Sequence, residues 1–230
     1  MLKLFDLAGA DDDRRFSPYC WRVKLALAHK GLPVETVPWR FTEKDRIAAS
    51  GQGRVPVLVD GDKWIVDSWT IANYLEDTYP DRPSLFGGGA GRALSHFYVG
   101  WADAILQPAM ARLIVRDIFD RVHAKDRTYF RQSREERYGQ TLEQVVADRD
   151  KNLPAFRARL SPLRIALQGQ PFLAGASPLH ADYIVFGSFQ WARATSAFEL
   201  LATDDVVHAW RERMLDLYDG LARKAPAEAA

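Results

Sequence analysis

The sequence contains a single cysteine, Cys20, among its 230 residues. One cysteine cannot form a disulfide within the chain, and such usage is typical of a reducing compartment. No apolar run approaches the roughly 20 residues that a membrane-spanning helix requires. The first residues lack the apolar segment of a signal peptide and turn acidic at residues 11–13. These absences predict a cytoplasmic protein that does not enter a membrane. Metal-ligand spacing is also absent, so we predict no metal site; the histidines are His29, His96, His123, His180 and His208.

The chain has almost no net charge, because 31 lysines and arginines face 30 acidic residues. A protein that binds nucleic acid usually carries a basic excess that neutralises phosphates, so we predict no nucleic-acid partner. The segment 127–137 is rich in arginine but mixed in sign, and we interpret it as a solvated or interface face of a helix, with a site for a polyanion as the alternative. Apolar residues make up 47% of the chain, which is typical of a folded protein.

The first eighty residues alternate between patterns typical of strands and helices. The predicted strands cover residues 2–7, 34–39, 55–59 and 64–66, and the predicted helices cover residues 19–30 and 68–79. A strand–helix–strand unit implies parallel pairing with a right-handed crossover. The turn at Gly61 adds an antiparallel hairpin. The predicted fold is therefore an α/β domain with a mixed four-stranded sheet.

Residues 79–91 contain two prolines and four glycines, which is typical of a linker between domains. Everything after this segment has a helical pattern. The predicted helices cover residues 93–122, 134–168, 181–194 and 204–221, with a kink at Pro108 and interruptions at Pro154 and Pro162. We therefore predict one domain over residues 1–80 and a second, all-helical domain over residues 90–222.

Residues 17–20 read Ser-Pro-Tyr-Cys, where Ser17 precedes a helix that opens on Pro18. The Ser17 hydroxyl then lies at the positive end of the helix dipole, which favours a thiolate. The motif resembles the Cys-Pro-Tyr-Cys motif of glutaredoxins with the first cysteine changed to serine. It indicates a site for the thiol of another molecule, although a plain helix cap is the alternative. Without that first cysteine, Cys20 cannot act as a resolving thiol, and a packed apolar role is expected.

Three motifs resemble those of cytosolic glutathione transferases and occur in the same order. They are SPYCWR at residues 17–22, VPVL at residues 55–58 and Asp67-Ser68. Residues 129–139 and 180–191 are similar to the serine-type branch that includes bacterial β-etherase-like enzymes and fungal relatives. The resemblance covers nearly the whole chain. It implies a thioredoxin-like N-terminal domain, an all-helical C-terminal domain, a homodimer, glutathione as co-substrate and a role in detoxification.

The resemblance also implies roles for individual residues. Ser17 would donate its hydroxyl proton to the glutathione sulfur, and Val55, before a cis Pro56, would present its backbone to the cysteinyl part. Ser68, which we expect to cap a helix, would bind the γ-glutamyl carboxylate, and Asp67 would meet the γ-glutamyl ammonium. Candidates for the glycyl carboxylate are Arg40, Lys44 and Gln52. Each of these residues also has an ordinary structural interpretation as a cap, an edge-strand proline or a surface side chain.

The second substrate would bind between the two domains, against the loop 8–16. The expected acceptor-pocket residues are Phe16, Tyr19, Trp101 and Met110. The expected activity is transfer of glutathione to a small hydrophobic electrophile. Glutathione-dependent cleavage of a β-aryl ether and non-catalytic binding of apolar ligands are the alternatives, whereas Ser17 disfavours a thiol–disulfide oxidoreductase.

One position departs from the family pattern. Relatives usually carry Ser or Thr two residues before Ala181-Asp182, as the N-cap of a buried helix, and this chain has Leu179. The reciprocal capping box is then lost, and Ser177 or Asp182 would have to substitute.

Overall fold

A four-stranded mixed sheet forms the first part of the molecule, in a computed structural model that describes residues 1–228. The strands are β1 (Leu2–Leu7), β2 (Val34–Trp39), β3 (Val57–Asp60) and β4 (Lys63–Val66). Their order across the sheet is β2-β1-β3-β4, with β1 and β2 parallel and the other neighbours antiparallel. The predicted mixed sheet is confirmed. The third strand begins at Val57 and not at Val55, because Pro56 has no N–H to donate to a ladder.

Two helices accompany the sheet, and they pack against each other. Helix α1 (Pro18–His29) is the crossover between β1 and β2, and helix α2 (Ser68–Thr78) follows β4. A short 3₁₀ segment, Lys44–Ser50, lies between β2 and β3. The order of elements is that of a thioredoxin-like domain.

Eight α-helices, joined by loops and short helical turns, make up residues 89–220. The helices are α3 (Gly89–Trp101), α4 (Gln107–Arg121), α5 (Arg127–Tyr138), α6 (Leu142–Val146), α7 (Arg149–Arg159), α8 (Ser161–Leu167), α9 (His180–Thr195) and α10 (Val206–Gly220). Among residues 1–228, no helix is both long and apolar enough to cross a membrane.

The long helix predicted over residues 134–168 is wrong, because the structure divides this region among α5 to α8. Helix α5 begins seven residues earlier, at Arg127, and ends where Gly139 takes a left-handed φ of 66°. The Thr141 side chain then caps α6. Pro154 lies inside α7, whereas Pro162 falls in the first turn of α8, where its missing N–H costs nothing.

Helices α3 and α4 form one continuous rod with a π-helical turn, Ala102–Leu106, between them. Pro108 lies in the first turn of α4, directly after that turn. Because proline lacks an N–H and its ring crowds the carbonyl of the preceding turn, a widened turn accommodates it. The irregularity predicted at Pro108 is thus present, but it lies on the N-terminal side of the proline.

Helix α9 is buried along nearly its whole length and packs against α1. Gly187 permits this close approach, because a Cβ at this position would lie 2.4 Å from the carbonyl oxygen of Pro18. The helical domain thereby supports the first turn of α1. A second contact between the domains is the ion pair of Arg22 in α1 with Asp103 in the π-helical turn, with an N–O distance of 2.6 Å.

Candidate active site

A cavity of about 330 Å³ lies where the N-terminal end of α1 meets the helical domain. Its walls come from the start of α1, the segment before β3, and helices α4, α5 and α9. Eight of the twenty lining residues are aromatic; they are Phe16, Tyr19, Trp39, Phe41, Tyr129, Phe130, Tyr138 and Trp191. The cavity therefore offers flat apolar walls beside the predicted thiol site.

Ser17 is the N-cap of α1 and lines this cavity, with Pro18 in the first turn as predicted. The Ser17 side chain is buried, and its Oγ accepts a hydrogen bond from the backbone N–H of Cys20 at 3.2 Å. Because that bond uses an oxygen lone pair, the hydroxyl proton remains available for donation. The group also lies at the positive end of the helix dipole. A sulfur placed here would meet both a donor and a favourable field.

Cys20 is fully buried one turn into α1, and its thiol lies 3.9 Å from the carbonyl oxygen of Phe5. Burial raises the pKa of the Cys20 thiol well above its usual range, and the Asp6 carboxylate adds to the rise. A neutral thiol in this environment is a packed apolar group and a poor nucleophile. This agrees with the apolar role expected from the sequence.

Tyr19 lines the cavity beside Ser17 and is half-buried. Burial raises the pKa of the Tyr19 phenol, and Asp103 raises it further, whereas Arg22, Arg137 and Arg54 oppose the rise. The Arg22 guanidinium stacks 4.7 Å from the centre of the Tyr19 ring. The phenol is therefore a neutral hydroxyl donor near three positive charges.

The Val55–Pro56 peptide bond is cis, as the resemblance implies. Val55 lines the cavity, and Pro56 is buried behind it. The antiparallel register pairs Val57 with Val66, so the segment directly before β3 adjoins the segment directly after β4. The chain segments that carry two of the three sequence motifs are thus neighbours.

The start of α2 differs in detail from the prediction that Ser68 is its cap. Asp67 is the N-cap, in a left-handed conformation with φ of 71°, and Ser68 is the first helical residue. One Asp67 oxygen, Oδ1, accepts from the backbone N–H groups of Trp69 at 3.0 Å and Thr70 at 2.9 Å. Asp67 takes the capping role because its longer side chain reaches back over the first turn. It is exposed, whereas Ser68 is buried.

The three candidates for the glycyl carboxylate lie in different settings. The Arg40 side chain bonds to the Gly9 carbonyl and forms ion pairs with Asp12 and Glu43, so its charge is already neutralised. Lys44 is exposed, and its side chain lies against Gly53, which lines the cavity. Gln52 is half-buried and does not line the cavity.

Sequence reasoning missed Arg54, which lines the cavity directly before Val55. It is exposed and forms no ion pair within residues 1–228. The sequence did carry a signal for Arg54. This residue directly precedes Val55-Pro56, which the resemblance identifies as part of the glutathione site.

The expected acceptor pocket is partly wrong. Phe16 and Tyr19 line the cavity, but Met110 is fully buried in the core and Trp101 packs edge-on against Tyr98. Helix α4 turns a different face toward the cavity; the lining residues from this helix are Gln107, Ala111, Val115 and Ile118. A helix that is apolar on several sides does not reveal which side faces a cavity.

The loop 8–16 contributes only Phe16 to the cavity walls. The loop contacts the helical domain instead. The Ala10 N–H donates to the Arg121 carbonyl at 2.8 Å, and the Arg14 side chain forms a 2.7 Å ion pair with Glu228. The loop therefore connects the sheet domain to the helical domain. Contrary to our expectation, none of its residues except Phe16 lines the cavity.

Arg134 and Arg137 on α5 also line the cavity, which contradicts our interpretation of segment 127–137 as only a solvated or interface face. Their spacing was the available signal. Intervals of four and three residues place Phe130, Arg134 and Arg137 on one face of a helix. Because Phe130 is large and apolar, that face is expected to be at least partly covered. No group of three or more side chains suited to a metal ion occurs within residues 1–228.

The fold defines a class of two-domain proteins in which a thioredoxin-like sheet domain is followed by a helical domain packed on its first helix, with a cavity at the N-terminus of that helix. Comparison with known families makes the assignment specific. Residues 13–83 match the N-terminal domain of glutathione S-transferases, and residues 93–222, more than half of the chain, match their C-terminal domain. The chain belongs to the glutathione S-transferase family.

Curated relatives align best over one part of the chain. Glutathione S-transferase Z2 of Arabidopsis thaliana is 33% identical over 112 residues, which cover 46% of this chain and 50% of the relative. The chain thus spans about half the length of this relative. Probable glutathione S-transferase GSTU6 of Oryza sativa subsp. japonica is 26% identical over 86% of this chain and 80% of its own length.

Solved structures match the fold over nearly the whole chain. The glutathione S-transferase CsGST63524 of Ceriporiopsis subvermispora, solved in complex with glutathione, has a TM-score of 0.79 at 22% identity and covers 98% of both chains. Glutathione transferase GSTFuA3 of Phanerochaete chrysosporium has a TM-score of 0.76 at 23% identity and covers 95% of this chain and 92% of its own. At this identity the likeness establishes the shared fold.

Proposed function

We propose that this protein binds glutathione and transfers its thiolate to a small electrophile with an apolar body. The observation that carries the proposal is the Ser17 hydroxyl. It caps a helix N-terminus, lines a cavity with aromatic walls, and keeps its proton available because its oxygen accepts from Cys20.

The chemistry follows from the acidity of the thiol. A free thiol has a pKa near 8.5, so only about a few per cent is thiolate at neutral pH. A hydroxyl donor and a helix N-terminus together lower that pKa by about 1–2, which raises the thiolate population roughly tenfold or more. The thiolate then attacks the electrophilic carbon, and the leaving group departs with the electron pair of the bond that breaks.

The proposed path of the tripeptide runs along the edge of the sheet domain. The sulfur lies at Ser17, the cysteinyl backbone at Val55, and the γ-glutamyl carboxylate at Ser68 and the N-terminus of α2. Asp67 keeps its Oδ2 for the γ-glutamyl ammonium, because both of its capping bonds use Oδ1. Arg54 and Lys44 are the candidates for the glycyl carboxylate, since Arg40 is already paired.

Cleavage of a β-aryl ether is a second candidate, and the aromatic lining of the cavity favours it. In that reaction the same thiolate forms a carbon–sulfur bond as the carbon–oxygen bond breaks, and a phenolate leaves. Phe41, Tyr129 and Phe130 offer flat surfaces to an aryl leaving group. Turnover with β-aryl ethers and with aryl halides separates the two reactions.

We also propose a cytoplasmic homodimer. Apolar side chains are exposed along α3 and the following π-helical turn; they are Leu94, Phe97 and Ile105. Exposed apolar groups on one helical rod are typical of an interface between protein chains.

Calorimetry with glutathione tests the proposal, with Asp67→Asn as the informative variant. Asparagine keeps a capping oxygen and tolerates a left-handed φ, but it removes the negative charge that would pair with the ammonium. We expect saturable binding that weakens roughly tenfold to a hundredfold in the variant. Asp62→Asn, in the exposed turn between β3 and β4, is the control and should bind like the unmodified protein. Absence of binding at millimolar glutathione would contradict the proposal.

A further inference from the structure

Three arginines line the cavity without an acidic partner within residues 1–228: Arg54 before β3, and Arg134 and Arg137 on α5. Arg134 and Arg137 both lie on α5 and line the cavity, and no aspartate or glutamate is among the lining residues. Neither arginine forms an ion pair within residues 1–228. Arg134 is half-buried and Arg137 is exposed at the cavity. A partly buried guanidinium without an acidic partner gains most from a ligand that supplies the negative charge.

The other arginines of α5 behave differently. Arg131 forms ion pairs with Glu135 at 2.7 Å and Glu143 at 2.9 Å, and Arg127 stacks on Phe119 outside the cavity. Glu135 and Glu143 therefore pair with Arg131, which does not line the cavity. The two arginines of this helix that do line the cavity have no acidic partner within residues 1–228.

Aromatic rings hold Arg134 in place without neutralising it. Its guanidinium carbon lies 4.4 Å from the centre of the Phe130 ring and 5.2 Å from that of Phe41. Burial lowers the pKa of Arg134, and the neighbouring charge of Arg137 lowers it further. Packing on aromatic faces fixes the guanidinium plane, which is the geometry that binds a carboxylate through two parallel hydrogen bonds.

Glutathione does not account for these two charges in the path proposed above. Its γ-glutamyl carboxylate lies at the N-terminus of α2, and its glycyl carboxylate has Arg54 and Lys44 at the sheet domain. Arg134 and Arg137 belong to the helical domain, on the side of the cavity left for the second substrate.

We propose that the acceptor is an aromatic electrophile that carries a carboxylate, with Arg137 and Arg134 as its specificity-determining residues. This inference rests on the proposed function and narrows the expected hydrophobic electrophile to an anionic one. The aromatic body lies against Phe41, Tyr129 and Phe130, and the carboxylate pairs with the guanidinium groups.

Two matched substrates test the inference by turnover. Glutathione thiolate displaces chloride from 4-chloro-3-nitrobenzoate or from the neutral 4-chloro-3-nitrobenzamide, forming one carbon–sulfur bond as one carbon–chlorine bond breaks. Each kcat/KM is divided by the uncatalysed rate constant, so that the intrinsic reactivities cancel. We expect a preference for the acid, and a roughly tenfold to hundredfold loss of acid turnover in Arg137→Gln and in the Arg134→Gln/Arg137→Gln double variant. Amide turnover should stay within about twofold. Arg127→Gln, on the same helix outside the cavity, should change neither.

A second experiment measures binding without turnover and so tests the inference separately from the proposed activity. Calorimetry compares 3-nitrobenzoate with 3-nitrobenzamide at saturating S-methylglutathione, which has no free thiol. Tighter binding of 3-nitrobenzoate than of 3-nitrobenzamide, with the difference lost in Arg137→Gln, supports the inference. If the acid binds in this way but no chloride is displaced, the inference stands and only the proposed transferase activity is contradicted. Equal binding of acid and amide overturns the inference, whereas amide turnover would still support the transferase. A loss of glutathione affinity in Arg137→Gln also overturns it, because the arginine would then serve the first substrate.

Discussion

At the scale of single residues, the chemistry depends on a hydroxyl in place of a thiol. A cysteine at position 17 would have a depressed pKa at a helix N-terminus and would react itself. Serine cannot be oxidised to a disulfide, so it serves as a donor to the sulfur of another molecule. The buried, neutral Cys20 leaves no competing nucleophile next to it.

Replacing Ser17 with alanine should reduce turnover by about tenfold to a thousandfold, as expected when one donor is removed from a site that stabilises charge. Glutathione affinity should change little, because the remaining contacts of the tripeptide are intact. Initial rates and calorimetry measure the two quantities. Ser17→Thr is the matched control, since threonine keeps both the hydroxyl and the helix cap. Full activity in Ser17→Ala would show that another group, with Tyr19 the nearest candidate, activates the thiol.

At the scale of the helix, α9 compensates for its missing N-cap by a side chain inside its first turn. Asp182 accepts from the backbone N–H of Leu179 at 3.2 Å, which preserves half of a capping box. The same carboxylate accepts from the Leu173 N–H at 2.7 Å and from the indole N–H of Trp210 at 2.9 Å. Of the two substitutes considered from the sequence, Asp182 takes the role. Burial raises the pKa of Asp182, and these donors oppose the rise.

Leu179→Thr should stabilise the protein by roughly 0.5–2 kcal/mol, because a threonine hydroxyl completes the box. Leu179 is half-buried and lies close to Gly87, so its apolar contacts also change. Leu179→Val is the control, since valine has the shape of threonine without the hydroxyl. Urea unfolding of the three proteins measures the difference. A threonine variant no more stable than the valine variant would show that α9 gains nothing from a side-chain cap.

At the scale of the whole molecule, the two domains meet around α1. Its N-terminal turn carries Ser17, and its packing against α9 depends on the absence of a side chain at Gly187. The cavity lies at this junction and takes walls from both domains. The geometry of the cavity therefore requires the two domains to be docked.

The proposed homodimer predicts a particle of twice the chain mass by light scattering coupled to gel filtration. Phe97→Asp should shift the protein to the monomer, because Phe97 is 63% exposed and a charge there would be buried in an interface. Ile165→Asp is the control, since Ile165 on α8 is equally exposed, at 67%, and lies away from this surface. A monomer before any substitution, or a dimer that survives Phe97→Asp, would contradict the proposed interface.

The sequence by itself determined the mixed character of the sheet, the first helix and the position of Ser17. These features depend on local rules: alternation marks strands, a serine before a proline marks a helix start, and a crossover between parallel strands has one hand. The limits of β1 and β2 agree with the predicted ones, and α1 differs by one residue at each end.

Tertiary structure alone decided which side chains reach the cavity. Met110 is in the core while Gln107 and Ala111 of the same helix line the pocket, although all three occupy one helical pattern. The reason is physical: helical periodicity fixes which residues share a face, but the neighbour that covers that face is chosen by packing against distant parts of the chain. That choice placed Arg134 and Arg137 on the wall of the cavity that Ser17 also lines.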